Sequence, residues 1–262
     1  MLFLLSPAKS LDWESPLPPS IEATTPLFLE KSAILNRLLR QKTPQELAEL
    51  MSISPRLAEL NVQRFRDWSL PFTPQNARPC VFTFNGDVYE GLDAASLTDA
   101  QLHWAQEHLL ILSGLYGVLR PMDLMQPYRL EMGTRLAVGE ARNLYDFWQQ
   151  TITDYIVGRL EVKKVPIVVN LASNEYFKAV QSRRLKARII DCVFQDEKNG
   201  QFKIISFYAK HARGLMVRYA IENDLHTPDE LSGFNLNGYR FAPDLSNDAR
   251  LVFQRQEGDI PA

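Results

Sequence analysis

The sequence predicts an α/β protein: a mixed, partly parallel sheet with surrounding helices and a helix-hairpin-helix-like element near the N-terminus, in one domain spanning residues 1–262. Three observations carry this. Short apolar runs, LFLL at residues 2–5 and PIVV at residues 166–169, each exit into a polar loop. Between them lie segments with apolar residues at helical spacing and recognisable cap residues. Strands and helices that alternate in this way build a sheet that is at least partly parallel. With 45% hydrophobic and 23% charged residues, a chain of 262 residues can bury a substantial core.

Taken in order, residues 2–5 read as a buried strand and residues 12–26, rich in proline, as irregular chain. Residues 27–41 carry a helical stripe that includes Leu27, Ala33, Ile34, Leu38 and Leu39. Thr43, Pro44 and Glu46 form a capping box with proline at the first helical position, and Ser54-Pro55 repeats the cap for a helix to about Trp68. The two helices make a hairpin of helix-hairpin-helix outline, without the glycine such turns use and with Glu46, Glu49 and Glu59 to repel phosphate. Residues 80–84 read as a strand, Asn85-Gly86-Asp87 as a turn, Thr98 with Gln101 as another capping box, and residues 109–112 as a strand. A core-facing helix is expected over residues 144–160, then the strand at 166–169, with Ser173 or Asn174 to cap the next helix. Asn199-Gly200 predicts a hairpin between strands at 188–194 and 201–208. A loop at residues 209–214 then leads to a helix ending near Asn223, Thr227 and Glu230 form one more box, and the tail through LVFQR reads as edge strands.

Chemistry concentrates in two places. Residues 112–133, LSGLYGVLRPMDLMQPYRLEMG, combine glycines, prolines and two arginines in the manner of a shaped backbone surface. Arg120 and Arg129 either offer planar donor forks to an anion or pair with Asp123 and Glu131. Residues 176–220 hold ten basic and three acidic side chains within a chain of net charge −2, an asymmetry that suits an anionic partner or a solvated helix face. In parallel sheets ligands gather beyond the carboxyl ends of the strands. The segments expected there carry Lys9, Asp87, residues 113–117, Asn170, Ser173, Glu175, Lys210 and Arg213. Ser6-Pro7-Ala8-Lys9 has the spacing of a serine–lysine nucleophile motif, but Pro7 and the missing companion motifs exclude that reading.

Metal and cofactor motifs are missing from the sequence: Cys80 and Cys192 stand apart from any His, His103 and His108 are five residues apart, and no Walker A or GxGxxG pattern occurs. The expectation is no metal and no cofactor. The apolar start is too short for a signal peptide, no run approaches the roughly eighteen apolar residues of a membrane span, and the two cysteines read as buried thiols, so a cytoplasmic protein is expected.

SPAK at residues 6–9, FNGDVYEGL at 84–92, the whole of residues 112–133, NLASNEYFK at 170–178 and FQDEKNGQFKIISFYAKHARGLM at 194–216 together resemble the YaaA family of bacterial peroxide-stress-resistance proteins. The resemblance covers essentially the whole chain. It implies a cytoplasmic α/β protein with no assigned reaction, a role in keeping unincorporated iron low under peroxide, and binding of double-stranded DNA through a basic cleft and a helix-hairpin-helix-like element. The helical hairpin at residues 43–68 is the corresponding position here.

The first expectation is therefore a DNA-binding stress protein that contacts phosphates through Lys9, Arg120, Arg129, Lys178, Arg183, Arg184, Lys186, Lys210, Arg213 and Arg218. Few Asn or Gln accompany these side chains, so contact should be to the backbone with little sequence preference. The alternative is an enzyme acting on a small anionic or nucleotide substrate in the same cleft, with Lys9, Asp87, Glu175 and Lys210 as its chemical groups. A partner-binding or regulatory protein that acts on iron uptake indirectly is a third.

Overall fold

Four consecutive apolar residues that are all fully enclosed need neighbours on both edges and covering layers on both faces, and β1 (Leu2–Leu5) has them. The computed structural model describes residues 1–18, 22–162 and 166–260; of the irregular segment expected at residues 12–26, residues 19–21 lie outside the described residues. From β1 the chain passes through β2 (Ser10–Leu11) to α1 (Leu29–Leu39), α2 (Pro44–Met51) and α3 (Pro55–Asp67). The cap residues act as their types dictate. Glu46 N–H donates to Thr43 Oγ1 at 3.2 Å and Thr43 N–H to the Glu46 carboxylate at 2.7 Å, and Leu57 N–H donates to Ser54 Oγ at 3.4 Å. At the turn between α2 and α3, Ser52 takes the left-handed conformation, φ 52° and ψ 52°.

Next come β3 (Arg78–Pro79), α4 (Cys80–Thr83) and β4 (Phe84–Asn85). Here the expected strand at residues 80–84 is overturned, because residues 80–83 form one helical turn. Its first two donors are taken by the carbonyls of Asp123 and Pro121, and Thr83 Oγ1 donates to Pro79 C=O. A five-residue apolar run cannot by itself tell a buried turn from a strand. After α5 (Asp87–Leu92) and α6 (Asp99–His108), which opens on the Thr98–Gln101 box, the chain enters β5 (Leu109–Ser113) and turns back into β6 (Gly117–Leu119). β7 (Leu124–Met125) pairs with β3.

Residues 112–119 are buried, not a displayed surface: Gly117, at φ +70°, lies under the ring of Trp148, whose Nε1–H donates to Gly114 C=O at 2.8 Å. α7 (Leu144–Glu161) leads to β8 (Ile167–Asn170), α8 (Asn174–Phe177), β9 (Arg188–Lys198) and β10 (Gln201–Lys203). The Asn199-Gly200 turn forms with both residues at positive φ. The expected second strand is much shorter than residues 201–208, and the loop expected at 209–214 is helix, because α9 (Ser206–Glu222) starts early. β11 (Arg240–Phe241) and β12 (Arg250–Arg255) close the chain.

The main sheet runs β11-β12-β9-β8-β1-β5-β6, with β10 also on β9. The pairs β12–β9, β9–β8, β8–β1 and β1–β5 are parallel, with Phe3 facing Val169 on one side and Leu109 on the other. β12 is thus an interior strand and not the edge that the tail suggests, since β11 covers its outer side. Antiparallel β6, β10 and β11 complete a mixed, largely parallel sheet.

Two contacts fix the layers. α5 crosses α9 at backbone distance through Gly91 and Gly214: a Cβ on Gly214 would lie 1.8 Å from Val88 O, and one on Gly91 would lie 2.2 Å from His211 O. That explains the mistaken loop, because Gly214 serves helix packing and breaks nothing. Beside β9, buried Asp196 pairs with Arg255 at 2.7 Å and accepts the Tyr239 hydroxyl, while the Arg255 guanidinium lies 4.6 and 4.5 Å from the ring centres of Tyr208 and Tyr239. No described helix is long and apolar enough to cross a membrane.

Candidate functional site

Because β1, β5 and β8 run parallel, their carboxyl ends open on one rim of the sheet, and the chain leaving β1 and β8 there meets α5 and α9 around a cleft of about 400 Å³. The β1 exit gives Ser6 and Lys9, the β4–α5 junction Asn85 and Asp87, the chain after β7 Glu131, the β8 exit Ser173 and Glu175, and α9 gives Lys210 and Arg213. Hydrogen bonds lock the exits together. Ser173 N–H donates to Ser6 Oγ at 2.9 Å, the Ser6 hydroxyl donates to Ser173 Oγ at 3.3 Å, and the Tyr89 hydroxyl donates to Ser6 C=O at 3.0 Å.

The charges are arranged pairwise. Glu131 bridges two cations, with Oε2 at 2.8 Å from Lys9 Nζ and Oε1 at 3.0 Å from Arg129. Lys210 faces Asp87 across a looser 3.9 Å gap, and the Gly91–Gly214 crossing places the two helices that carry them. Glu175 accepts the Gly133 N–H on Oε1 at 2.8 Å, and its carbonyl accepts the Tyr145 hydroxyl at 2.9 Å. Arg213, half-buried, has no hydrogen-bond acceptor or carboxylate among the described residues. Burial holds its pKa below the ordinary arginine value. Beneath the cleft, burial and the charges of Glu175 and Glu131 push the Tyr176 phenol far above its usual range, so it stays neutral.

Of the residues singled out in the sequence, Lys9, Asp87, Ser173, Glu175, Lys210 and Arg213 converge here, and Arg129 stands one ion pair behind them. The remaining basic positions are dispersed. Arg120 is committed to Asp123 at 2.8 Å and also donates to Thr25 C=O, the pairing that its composition left open. Lys178 lies 4.9 Å from the Tyr145 ring centre. Arg183, Arg184 and Lys186 line a hollow beside Pro166 and Glu161, at the amino ends of β8 and β9, with Arg184 bound to Asp154. Arg218 is held by Glu222 and Asp93. Residues 113–117 and Asn170 lie inside the fold, Asn170 donating to Asp191. Ser6, Asn85, Tyr89 and Tyr176 were not foreseen as cleft residues; the SPAK, FNGDVY and NEYF runs that hold them were the available signal.

Both thiols are buried and unreactive in character. Burial and Asp123 push Cys80 well above the usual thiol range, and burial pushes Cys192 up to about 12. Among the described residues no group of three or more His, Cys, Asp or Glu side chains could hold a metal ion.

Compared with known proteins, residues 1–245 match the family model described as peroxide stress protein YaaA. The chain is 59% identical over 257 residues to a UPF0246 protein of Paracidovorax citrulli, covering 98% of this chain and 99% of the relative. A UPF0246 protein of Bordetella petrii is also 59% identical over 257 residues, with 98% and 100% covered, and one of a Polaromonas strain is 56% identical over 257 residues, with 98% and 99% covered.

Proposed function

The chain belongs to the family of peroxide stress protein YaaA, and from that premise we propose that it acts in the cytoplasm by taking a small molecule with a phosphate or carboxylate group into the cleft at the carboxyl ends of β1 and β8. The observation that carries this reading is Arg213, a half-buried guanidinium that lines the cleft without a counter-ion among the described residues. Leaving a desolvated charge unpaired costs stability, and an anionic ligand removes that cost. The volume of about 400 Å³ suits a small ligand. Asp87 and Glu175 have no use in a groove for a polyanion, whereas with Lys9 and Lys210 they supply groups for proton transfer on a bound substrate. In this reading the low level of unincorporated iron that the family resemblance implies is a consequence of the ligand chemistry.

A second reading, double-stranded DNA held through its phosphate backbone with little sequence preference, has its own support. The turn of the α2–α3 hairpin adopts at Ser52 the left-handed conformation that glycine supplies in helix-hairpin-helix turns. Lys9, Lys178, Lys186 and Lys210 are basic side chains at or near the surface, although Arg120, Arg184 and Arg218 are already engaged by carboxylates.

A thermal-shift screen of small phosphates and carboxylates, run beside a salt titration of binding to a fluorescent duplex, separates the two. The proposal expects a small anion to raise the melting temperature of the wild type and not of Arg213→Gln. Steep salt-dependent duplex binding, lost on replacing Lys210 and Arg213 and with no stabilising small anion, overturns it in favour of DNA.

A further inference from the structure

Within the cleft, most charges already have partners: Lys9 and Arg129 share Glu131, and Lys210 faces Asp87. Two remain unbalanced. Arg213 has no acceptor among the described residues, and the thiol of Cys192 next to it is neutral, its pKa pushed up by burial to about 12. Glu175 is half-buried and has no cation within ion-pair distance among the described residues. One of its oxygens is held by Gly133 N–H, and the other is left without a described donor. The carboxylate and Arg213 stand on different walls, α8 and α9, and form no ion pair. One cleft thus presents an uncompensated cation and an uncompensated anion apart from each other.

We infer that the ligand of this cleft is amphoteric: an anionic group lies on Arg213, and an ammonium or another strong hydrogen-bond donor lies on Glu175. A purely anionic ligand would satisfy Arg213 and leave Glu175 bare, with a like charge brought nearer to it. A ligand with a donor at its other end neutralises both residues, and each charge-assisted hydrogen bond becomes stronger as water leaves the cleft. The inference rests on the reading of the cleft as an anion site and adds a donor requirement to it.

The test compares two phosphate monoesters of similar size, ethyl phosphate and O-phosphoethanolamine, by calorimetric titration of the full chain. Loss of net negative charge alone would weaken the second. The expected result is that O-phosphoethanolamine binds about tenfold more tightly to the wild type, the effect of one hydrogen bond to a charged group. Glu175→Gln keeps an oxygen for Gly133 N–H and should bring the two affinities to within about twofold while leaving ethyl phosphate binding intact. Arg213→Gln should weaken both ligands. If ethyl phosphate binds as tightly as O-phosphoethanolamine, or the preference survives Glu175→Gln, the donor requirement is wrong while the anion site stands. If neither ester binds the wild type, the anion site itself fails. The wild-type comparison decides the point even if a variant does not fold.

Discussion

Replacing Gly214 by alanine tests the contact that positions Lys210 and Asp87. The new Cβ would lie 1.8 Å from Val88 O, 2.7 Å from Leu92 N and 2.8 Å from Val88 C. All three are backbone atoms of α5 or its last turn, so no side-chain rotation relieves the clash. α5 has to retreat by roughly 1.2 Å before the shortest contact reaches 3.0 Å, below which real Cβ contacts essentially never occur. Overpacking of this kind costs about 3 kcal/mol, at the upper end of the usual range. The gain in helix propensity from glycine to alanine returns about 1 kcal/mol, leaving a net loss of about 2 kcal/mol. For a chain of this length that is a fall in melting temperature of about 4–8 °C.

The same retreat widens the Lys210–Asp87 gap, already 3.9 Å, and should weaken binding of whatever the cleft holds. Gly158→Ala in α7 is the control. Nothing lies within 4 Å of its Cβ position, so propensity alone acts and the variant should melt at or slightly above the wild type. Differential scanning calorimetry of the two variants decides the matter. A Gly214→Ala protein that melts no lower than the wild type would refute the close crossing of α5 and α9.

Other consequences can be measured directly. Asp196→Ala leaves the Arg255 guanidinium buried without its carboxylate and should cost about 3–5 kcal/mol in denaturant unfolding, whereas Asp196→Asn with Arg255→Met should cost much less; equal losses would mean the pair is not coupled. Neither thiol should react with iodoacetamide at pH 8 until the chain is unfolded, and fast labelling of the native protein would contradict their burial. Since burial raises the Cys192 pKa from 9.0 to about 12, the folded state binds more protons than the unfolded state in that range. The thiol's contribution is therefore complete below pH 9 and lost as pH rises towards 12, so Cys192→Ala should flatten the alkaline fall in stability. Thr43→Ala removes the oxygen that accepts Glu46 N–H and should lower stability by about 1 kcal/mol; no change on denaturant titration would show that α2 does not depend on its cap.

The sequence alone determined what depends on neighbours within a few residues. The boxes at Thr43 and Thr98, the helical stripe of residues 144–160, the apolar strands at 2–5 and 109–112 and the Asn199-Gly200 turn are local events, and all are found. Local rules failed where a distant contact outweighed them. Residues 80–83 coil because carbonyls near Pro121 take their donors, Gly214 belongs to a helix because α5 presses on it, and LVFQR is interior because β11 pairs outside it.

Lys9 and Glu175 could be picked out by their places after the parallel strands β1 and β8, since a parallel sheet sends its carboxyl ends to one rim, whereas Asp87, Lys210 and Arg213 reach that rim on α5 and α9 and not from the strand ends that the sequence suggested. Which charges are spent and which are free was decided by tertiary structure alone. The sequence leaves Arg120 open between an anion and Asp123, and buried Asp123 lies 2.8 Å from it, whereas no described carboxylate reaches Arg213. Coulomb attraction and desolvation act through space over a few ångströms, and sequence order carries no record of those distances until the sheet closes.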